Sequence, residues 1–170
     1  MVTVAAWLDR TLRSRVAIGV VVIAIAIHCG IVASRRMADF RVYHQAAQRL
    51  IAGEPIYRLD DPHRYLYAPV VTFLFVPLAP LPKIPAAIVW YAANLWLVVA
   101  SLRLIERMVY RDARPPPGFR WLLVLFGLRF IDNNLGHGQI NILLLWLVLV
   151  AYDAAGRGRT AWAGVALASA

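Results

Sequence analysis

Cysteine is almost absent from this chain of 170 residues, and Cys29 is the only one. A disulfide within one chain is therefore excluded. Acidic residues are also scarce, nine against 18 basic ones, which gives a formal net charge of +9. Only 16% of the residues are charged, whereas a soluble domain has roughly a quarter. This scarcity of charge, with 61% apolar residues, argues against a disordered chain and against an ordinary soluble domain.

The apolar residues fall in long runs without charge. Residues 16–33 form the first run, and 18 helical residues reach roughly 27 Å, close to the thickness of the hydrocarbon core. We therefore predict an all-α polytopic membrane protein of the cell membrane, with the bilayer as its partner. The first span is expected at about 16–33 and an outer loop at 34–65, and further apolar segments are expected at about 66–81, 84–102, 121–131, 140–152 and 160–170.

Seventeen of the 18 basic residues are arginines, since Lys83 is the only lysine. They are scattered between the apolar runs rather than gathered in a patch, which argues against a nucleic-acid partner. We interpret them as groups that flank the membrane or face phosphate.

The stretch 34–65 is the longest polar one. Its apolar residues Phe40, Tyr43, Ala47 and Leu50 recur at helical spacing. We expect an amphipathic helix lying in the membrane interface, ended at Gly53 to Pro55. Its other side is polar and comprises Arg41, Gln45, Gln48 and Arg49.

Two features of the apolar segments leave the topology open. The segment 66–81 contains three prolines and is either a span of marginal length or a re-entrant segment. The run 160–170 stops without a cap or a polar flank, so we expect the chain to be the N-terminal part of a longer single domain.

Asp39 stands at the beginning of the expected interfacial helix. One interpretation is an N-cap, because aspartate accepts hydrogen bonds from the first turn of a helix. The other is a partly desolvated carboxylate that acts as a general base.

Further polar residues allow both a plain and a functional interpretation. The six arginines of the polar stretch either contact lipid headgroups or bind a substrate phosphate, and its tyrosines either form an aromatic belt or stack on a sugar. The cluster 133–141 is either a turn at the water boundary or the lining of a cavity. The four histidines lack the spacing of a metal site.

Four ordered motifs identify a family. They are the run 39–47 (DFRVYHQAA) with Leu50, Gly53 and Tyr57, then 65–69 (YLYAP), then 77–82 (PLAPLP) with Trp90 and Asn94, and finally 134–141 (NLGHGQIN). Residues 157–159 (RGR) fit as well. From Asp39 to about residue 170 the chain resembles glycosyltransferase family 87, polyprenol-phosphate-mannose-dependent mannosyltransferases and their relatives, which are usually more than twice as long.

The resemblance implies a GT-C fold, a bundle of membrane helices with its active site at the extracytoplasmic face. It implies an inverting transfer of a hexose, mannose in the first place, from a polyprenyl-phosphate donor to a lipid or glycan acceptor. Asp39 is then the general base, and no further cofactor is expected. We predict that the substrates are bound by Arg35, Arg36, Tyr43, Arg64, Tyr65, Tyr67, Asn134, His137, Gln139 and Asn141. The alternatives are a pentose-using relative and a non-enzymatic polytopic subunit or transporter fragment.

Overall fold

The computed structural model describes residues 15–111 and 113–170, and it describes their side chains from Gly19 onward. Every regular element in these residues is a helix, which confirms the all-α class. The helices are α1 (Arg15–Arg35), α2 (Ala38–Ile51), α3 (Pro69–Phe75) with a 3-10 turn (Val76–Leu78), α4 (Lys83–Tyr110), α5 (Phe119–His137), α6 (Asn141–Gly156) and α7 (Thr160–Ala168).

Among the described helices, α4 alone is long and apolar enough to cross a membrane by length and composition. Helices α1, from Gly19, and α2 pass the same criterion only together, and they are bent by 62° at the break between them. Helix α1 covers the expected first span, and α4 extends beyond the predicted end at residue 102 to Tyr110. Any further membrane crossing remains a prediction.

The segment 66–81 forms a short element that lies against α2. Helix α3 and the 3-10 turn together contain ten residues and reach about 15 Å, half of a hydrocarbon core. Pro69 begins the helix and Pro77 lies in the 3-10 turn. This length is short for a full span, and the choice between a marginal span and a re-entrant segment stays a prediction.

An aromatic core joins α2 to its neighbours. Phe40 and Tyr43 of α2 are fully buried, as the periodicity predicts, and so is Phe75 of α3. The ring of Phe75 lies 4.9 Å from Tyr43 and 4.7 Å from Trp90 of α4, measured between centroids. Aromatic rings contribute the largest apolar areas of any side chain, so these contacts fix α2 across the start of α4.

The corner between α5 and α6 lies against the N-terminus of α2. The amide of Met37 donates a hydrogen bond of 2.9 Å to the carbonyl of Gly136, and the Trp90 indole donates one of 2.9 Å to the carbonyl of Gly138. Helix α5 continues to His137, through the polar cluster, and ends at Gly138 in the left-handed conformation. The corner therefore holds the beginning of α2 and the beginning of α4 together.

Candidate active site

An open cleft of about 560 Å³ lies between the N-terminus of α2 and the segment that leads into α3. Three of the predicted site residues, Asp39, Arg64 and Tyr67, line this cleft together. Its remaining lining comprises Ala38, Val42, Asp61, Pro62, His63 and Leu66. A carboxylate and a guanidinium thus share one cavity with an aromatic ring.

Asp39 is the second residue of α2, and the prediction that it serves as N-cap is wrong. The cap position belongs to Met37, whose backbone adopts φ 55° and whose carbonyl accepts a hydrogen bond from Arg41. A left-handed conformation is uncommon for a residue other than glycine. Here the hydrogen bond from the Met37 amide to the Gly136 carbonyl stabilises this conformation. Asp39 therefore lies two residues after the cap, inside the first turn of the helix.

The carboxylate of Asp39 is available for chemistry. The residue is half-buried, and within the described part of the chain no basic group lies at salt-bridge distance from it. The first turn of a helix favours a negative charge, because its amide groups and the helix dipole point toward it. The position therefore favours a carboxylate, and no basic group of the described residues is paired with it.

Tyr43 is completely buried one turn further along α2, and its hydroxyl has no hydrogen-bond partner in the described structure. Burial raises the pKa of this hydroxyl well above its ordinary value, and Tyr67 and Asp39, both of which line the cleft, add to the shift. A buried hydroxyl without a partner is costly. Tyr43 is not among the residues that line the cleft. Its ring packs in the aromatic core, and its hydroxyl is a buried donor without a partner in the described structure.

The segment between α2 and α3 is stabilised by its own tyrosines. The Tyr57 hydroxyl donates to the carbonyl of Tyr67 at 2.8 Å, and the Tyr65 hydroxyl donates to the carbonyl of Ala68 at 2.9 Å while accepting from Thr72 at 2.8 Å. Burial raises the pKa of Tyr65, which keeps it protonated. Tyr65 thus stabilises the segment that carries Tyr67, and Tyr67 lines the cleft.

A buried ion pair ties the same segment to α2. Arg49 donates two hydrogen bonds to the carboxylate of Asp61, at 2.5 and 2.8 Å, and only 10% and 14% of the two side chains are exposed. The segment that carries Asp61 covers Arg49 on the polar side of α2, so this pairing satisfies the guanidinium in the interior. Asp61 begins the run of residues 61–64 that lines the cleft, so the pair holds that wall in place.

We expect Asp61→Asn to remove a pH-dependent part of the stability. The hydrogen bonds from Arg49 hold the pKa of Asp61 below its ordinary value of 3.8. A lowered pKa means that the stabilisation is complete above the ordinary value and is lost as the pH falls through the folded value. The melting temperature of the protein should therefore exceed that of Asp61→Asn near neutral pH, and the two should converge in acid.

Asp60→Asn is the matched control, since Asp60 is exposed beside Asp61. It should melt as the unchanged protein does throughout the titration. Equal melting temperatures of the protein and Asp61→Asn at neutral pH would contradict a stabilising pair.

The polar cluster 133–141 borders a different cavity. Asn134, Gln139 and Asn141 line one end of a mainly apolar groove of about 450 Å³ between α4, α5 and α6. Asn134 is buried and donates to the side-chain oxygen of Asn94 at 3.1 Å and to the carbonyl of Gln139 at 3.2 Å. The cluster is therefore both a turn and a cavity lining, with Asn134 engaged in holding the corner.

The remaining predicted site residues lie outside both cavities. Arg35 and Arg36 are exposed just before α2, and His137 is exposed and bonded to the carbonyl of its own helix neighbour Asn133 at 2.9 Å. The described residues contain no group of three or more histidines, cysteines or carboxylates that could hold a metal ion.

Two features of the structure escaped the sequence patterns. His63 lines the cleft next to Arg64, although its spacing to other polar groups carries no signal. His28 of α1 joins two helices, with 2.7 Å from its Nδ1 to the Tyr91 hydroxyl and 3.3 Å from its Nε2 to the Asp132 carboxylate. These partners are 63 and 104 positions away, so only folding reveals the contact.

The described part of the chain thus combines one helix apolar enough to cross a membrane with a cleft lined by a carboxylate, a guanidinium and an aromatic residue. The model of glycosyltransferase family 87 matches residues 65–170, more than half of the chain. The chain therefore belongs to glycosyltransferase family 87, as its motifs predict. A search of curated proteins and a search of solved structures found no match. Asp39 precedes the matched range, so its role rests on the cleft and on the sequence resemblance.

Proposed function

We propose that this chain carries the catalytic site of a membrane glycosyltransferase that moves a hexose, mannose in the first place, from a polyprenyl phosphate to a lipid or glycan acceptor. The observation that carries the proposal is the cleft in which the carboxylate of Asp39 and the guanidinium of Arg64 face the same space. Membership in a glycosyltransferase family supports sugar transfer in general and favours an enzyme over a transporter fragment. The choice of donor follows from the family resemblance, and the guanidinium of Arg64 suits the phosphate of such a donor.

The proposed reaction is a single displacement at the anomeric carbon. Asp39 takes the proton of an acceptor hydroxyl, and the acceptor oxygen forms a new bond to C1 of the sugar. The bond between C1 and the phosphate oxygen breaks, and polyprenyl phosphate leaves with the electron pair and the negative charge. Attack opposite the leaving group inverts the configuration. Proton removal by a positioned base contributes roughly 10²–10⁴-fold to the rate.

Arg64 is the residue we assign to the departing phosphate. It is exposed in the cleft, and its Nε donates to the carbonyl of Leu59 at 3.1 Å, which fixes the guanidinium plane. The other guanidinium donors remain for a ligand, since arginine carries five N–H groups in a planar fork that fits phosphate oxygens. His63 adds a second polar group on the same wall. Developing charge on the phosphate is stabilised best by such fixed donors.

The donor assay tests this function with membranes that contain the full-length gene product. We expect radioactive mannose to move from polyprenyl-phosphate mannose to a membrane lipid or glycan, and we expect no transfer from the nucleotide sugar when polyprenyl phosphate is absent. Membranes with Arg64→Gln test the assigned phosphate contact and should show a raised KM for the donor. Transfer from a polyprenyl-phosphate pentose, with none from the hexose donor, would show that the sugar is a pentose. Transfer from a nucleotide sugar without polyprenyl phosphate would contradict the lipid-linked donor.

A further inference from the structure

Arginines from distant parts of the chain lie close together at the C-terminal ends of α4 and α6. Both helices leave the corner at Gly138 in the same direction, because the start of α4 is bonded to that corner and α6 begins just after it. They pack along each other, with Trp96 and Trp146 rings 5.9 Å apart. Their ends therefore bring together Arg107, Arg111, Arg157 and Arg159.

These arginines line two adjoining clefts of about 290 and 310 Å³. Arg107, Asp153 and Arg157 line both of them. The first cleft also contains Arg111 and the second Arg159. Residues 157–159 fit the family resemblance, and the proposed reaction assigns them no role.

The clefts carry an excess of positive charge. Asp153 binds Arg157 through two contacts of 2.9 and 3.1 Å, so this carboxylate is already engaged. The C-termini of α4 and α6 add about half a negative charge each. Among the described residues that line the clefts, four arginines exceed one carboxylate and two helix ends by about two charges, which suits a phosphate diester or monoester.

Exposed aromatic side chains flank the basic clefts. Tyr152, in the first cleft, is 71% exposed and Trp162, in the second, is 70% exposed. Tyrosine and tryptophan concentrate at the level of the lipid headgroups, where one end of the ring is apolar and the other is hydrated. Their position indicates that the clefts open at the membrane surface rather than into bulk water.

We propose that these clefts bind the phosphate of an anionic phospholipid headgroup. Basic pockets between membrane helices hold such headgroups in other proteins. The site lies at the opposite end of α4 from Asp39, so the inference does not depend on the proposed sugar transfer. A plainer account is that the arginines only set the orientation of the helices, through diffuse attraction to the membrane surface.

The test measures binding of phosphatidylglycerol to the full-length gene product in lipid discs of phosphatidylcholine. We expect phosphatidylglycerol to bind and to raise the melting temperature. Arg107→Gln and, separately, Arg159→Gln should each weaken its binding about fivefold. Arg114→Gln is the matched control, because it removes the same charge from an exposed position at the same end outside the clefts, and it should bind as before.

The melting temperature of each variant in phosphatidylcholine alone shows whether it is folded. Arg107→Gln changes both clefts, whereas Arg159→Gln changes only the second. Equal losses in Arg114→Gln and in the cleft variants would overturn the site in favour of diffuse attraction. Equal stabilisation by inorganic phosphate in phosphatidylcholine discs would overturn the lipid as the ligand. An unchanged melting temperature on addition of phosphatidylglycerol would also contradict the proposal.

Discussion

Asp39→Asn should reduce sugar transfer by at least about a hundredfold while the protein still accumulates in the membrane. The substitution keeps the size of the side chain and removes its ability to take a proton. Asp39 is half-buried in the cleft and is not the N-cap, so the fold depends little on its charge. The loss of favourable contact with the helix dipole amounts to about 0.3–1 kcal/mol. The measurement is the initial rate of transfer per amount of folded protein.

Asp60→Asn provides the control for a lost carboxylate, since it removes the same charge from an exposed position in the segment after α2. It should keep its full rate. Near-normal turnover of Asp39→Asn would reduce Asp39 to a residue of the first helical turn and would move the search for the base to another group. A rate that falls in proportion to the folded fraction would also contradict a chemical role.

The helices were predictable from the sequence because packing in the protein interior and contact with lipid both favour apolar residues at helical spacing. Phe40 and Tyr43 are buried as their spacing predicts. Helix α4 continues past the predicted apolar segment 84–102, and Arg103 and Arg107 remain helical on its exposed side. Charge marks the end of a lipid-facing stretch, but it does not end a helix whose backbone hydrogen bonds continue.

The site was predictable in part. The motifs contain Asp39 and Tyr67, and Arg64 is one of the six arginines of the polar stretch that are candidates for binding phosphate. The structure brings these three residues into one cleft. The burial of Arg49 was not predictable, because its partner Asp61 lies 12 positions away across an irregular segment. Helical spacing assigns a side chain to a face but does not reveal which loop covers that face.

Gly138→Ala should destabilise the protein strongly, because this glycine is where the corner touches α2. Its φ is +70°, and an added Cβ would lie 2.6 Å from the Cβ of Phe40 and 3.1 Å from the Cε of Met37. The left-handed conformation costs about 1–2 kcal/mol for an alanine. Forcing a methyl group into a packed contact costs about 1–3 kcal/mol more. We expect a loss of about 2–5 kcal/mol, measured as a lower melting temperature in detergent.

Two other glycines separate the causes of this loss. Gly158 has a similar φ of +73° but open space around the position of a Cβ, so Gly158→Ala should show the conformational cost alone. Gly136 lies within a helix and would place a Cβ 3.9 Å from Arg36, so Gly136→Ala should cost little. The excess in Gly138→Ala then measures the contact with Phe40. Because that contact positions the first turn of α2, activity should fall even at temperatures where the variant is folded. A melting temperature equal to that of Gly158→Ala would show that Phe40 yields without cost and that the corner does not position Asp39.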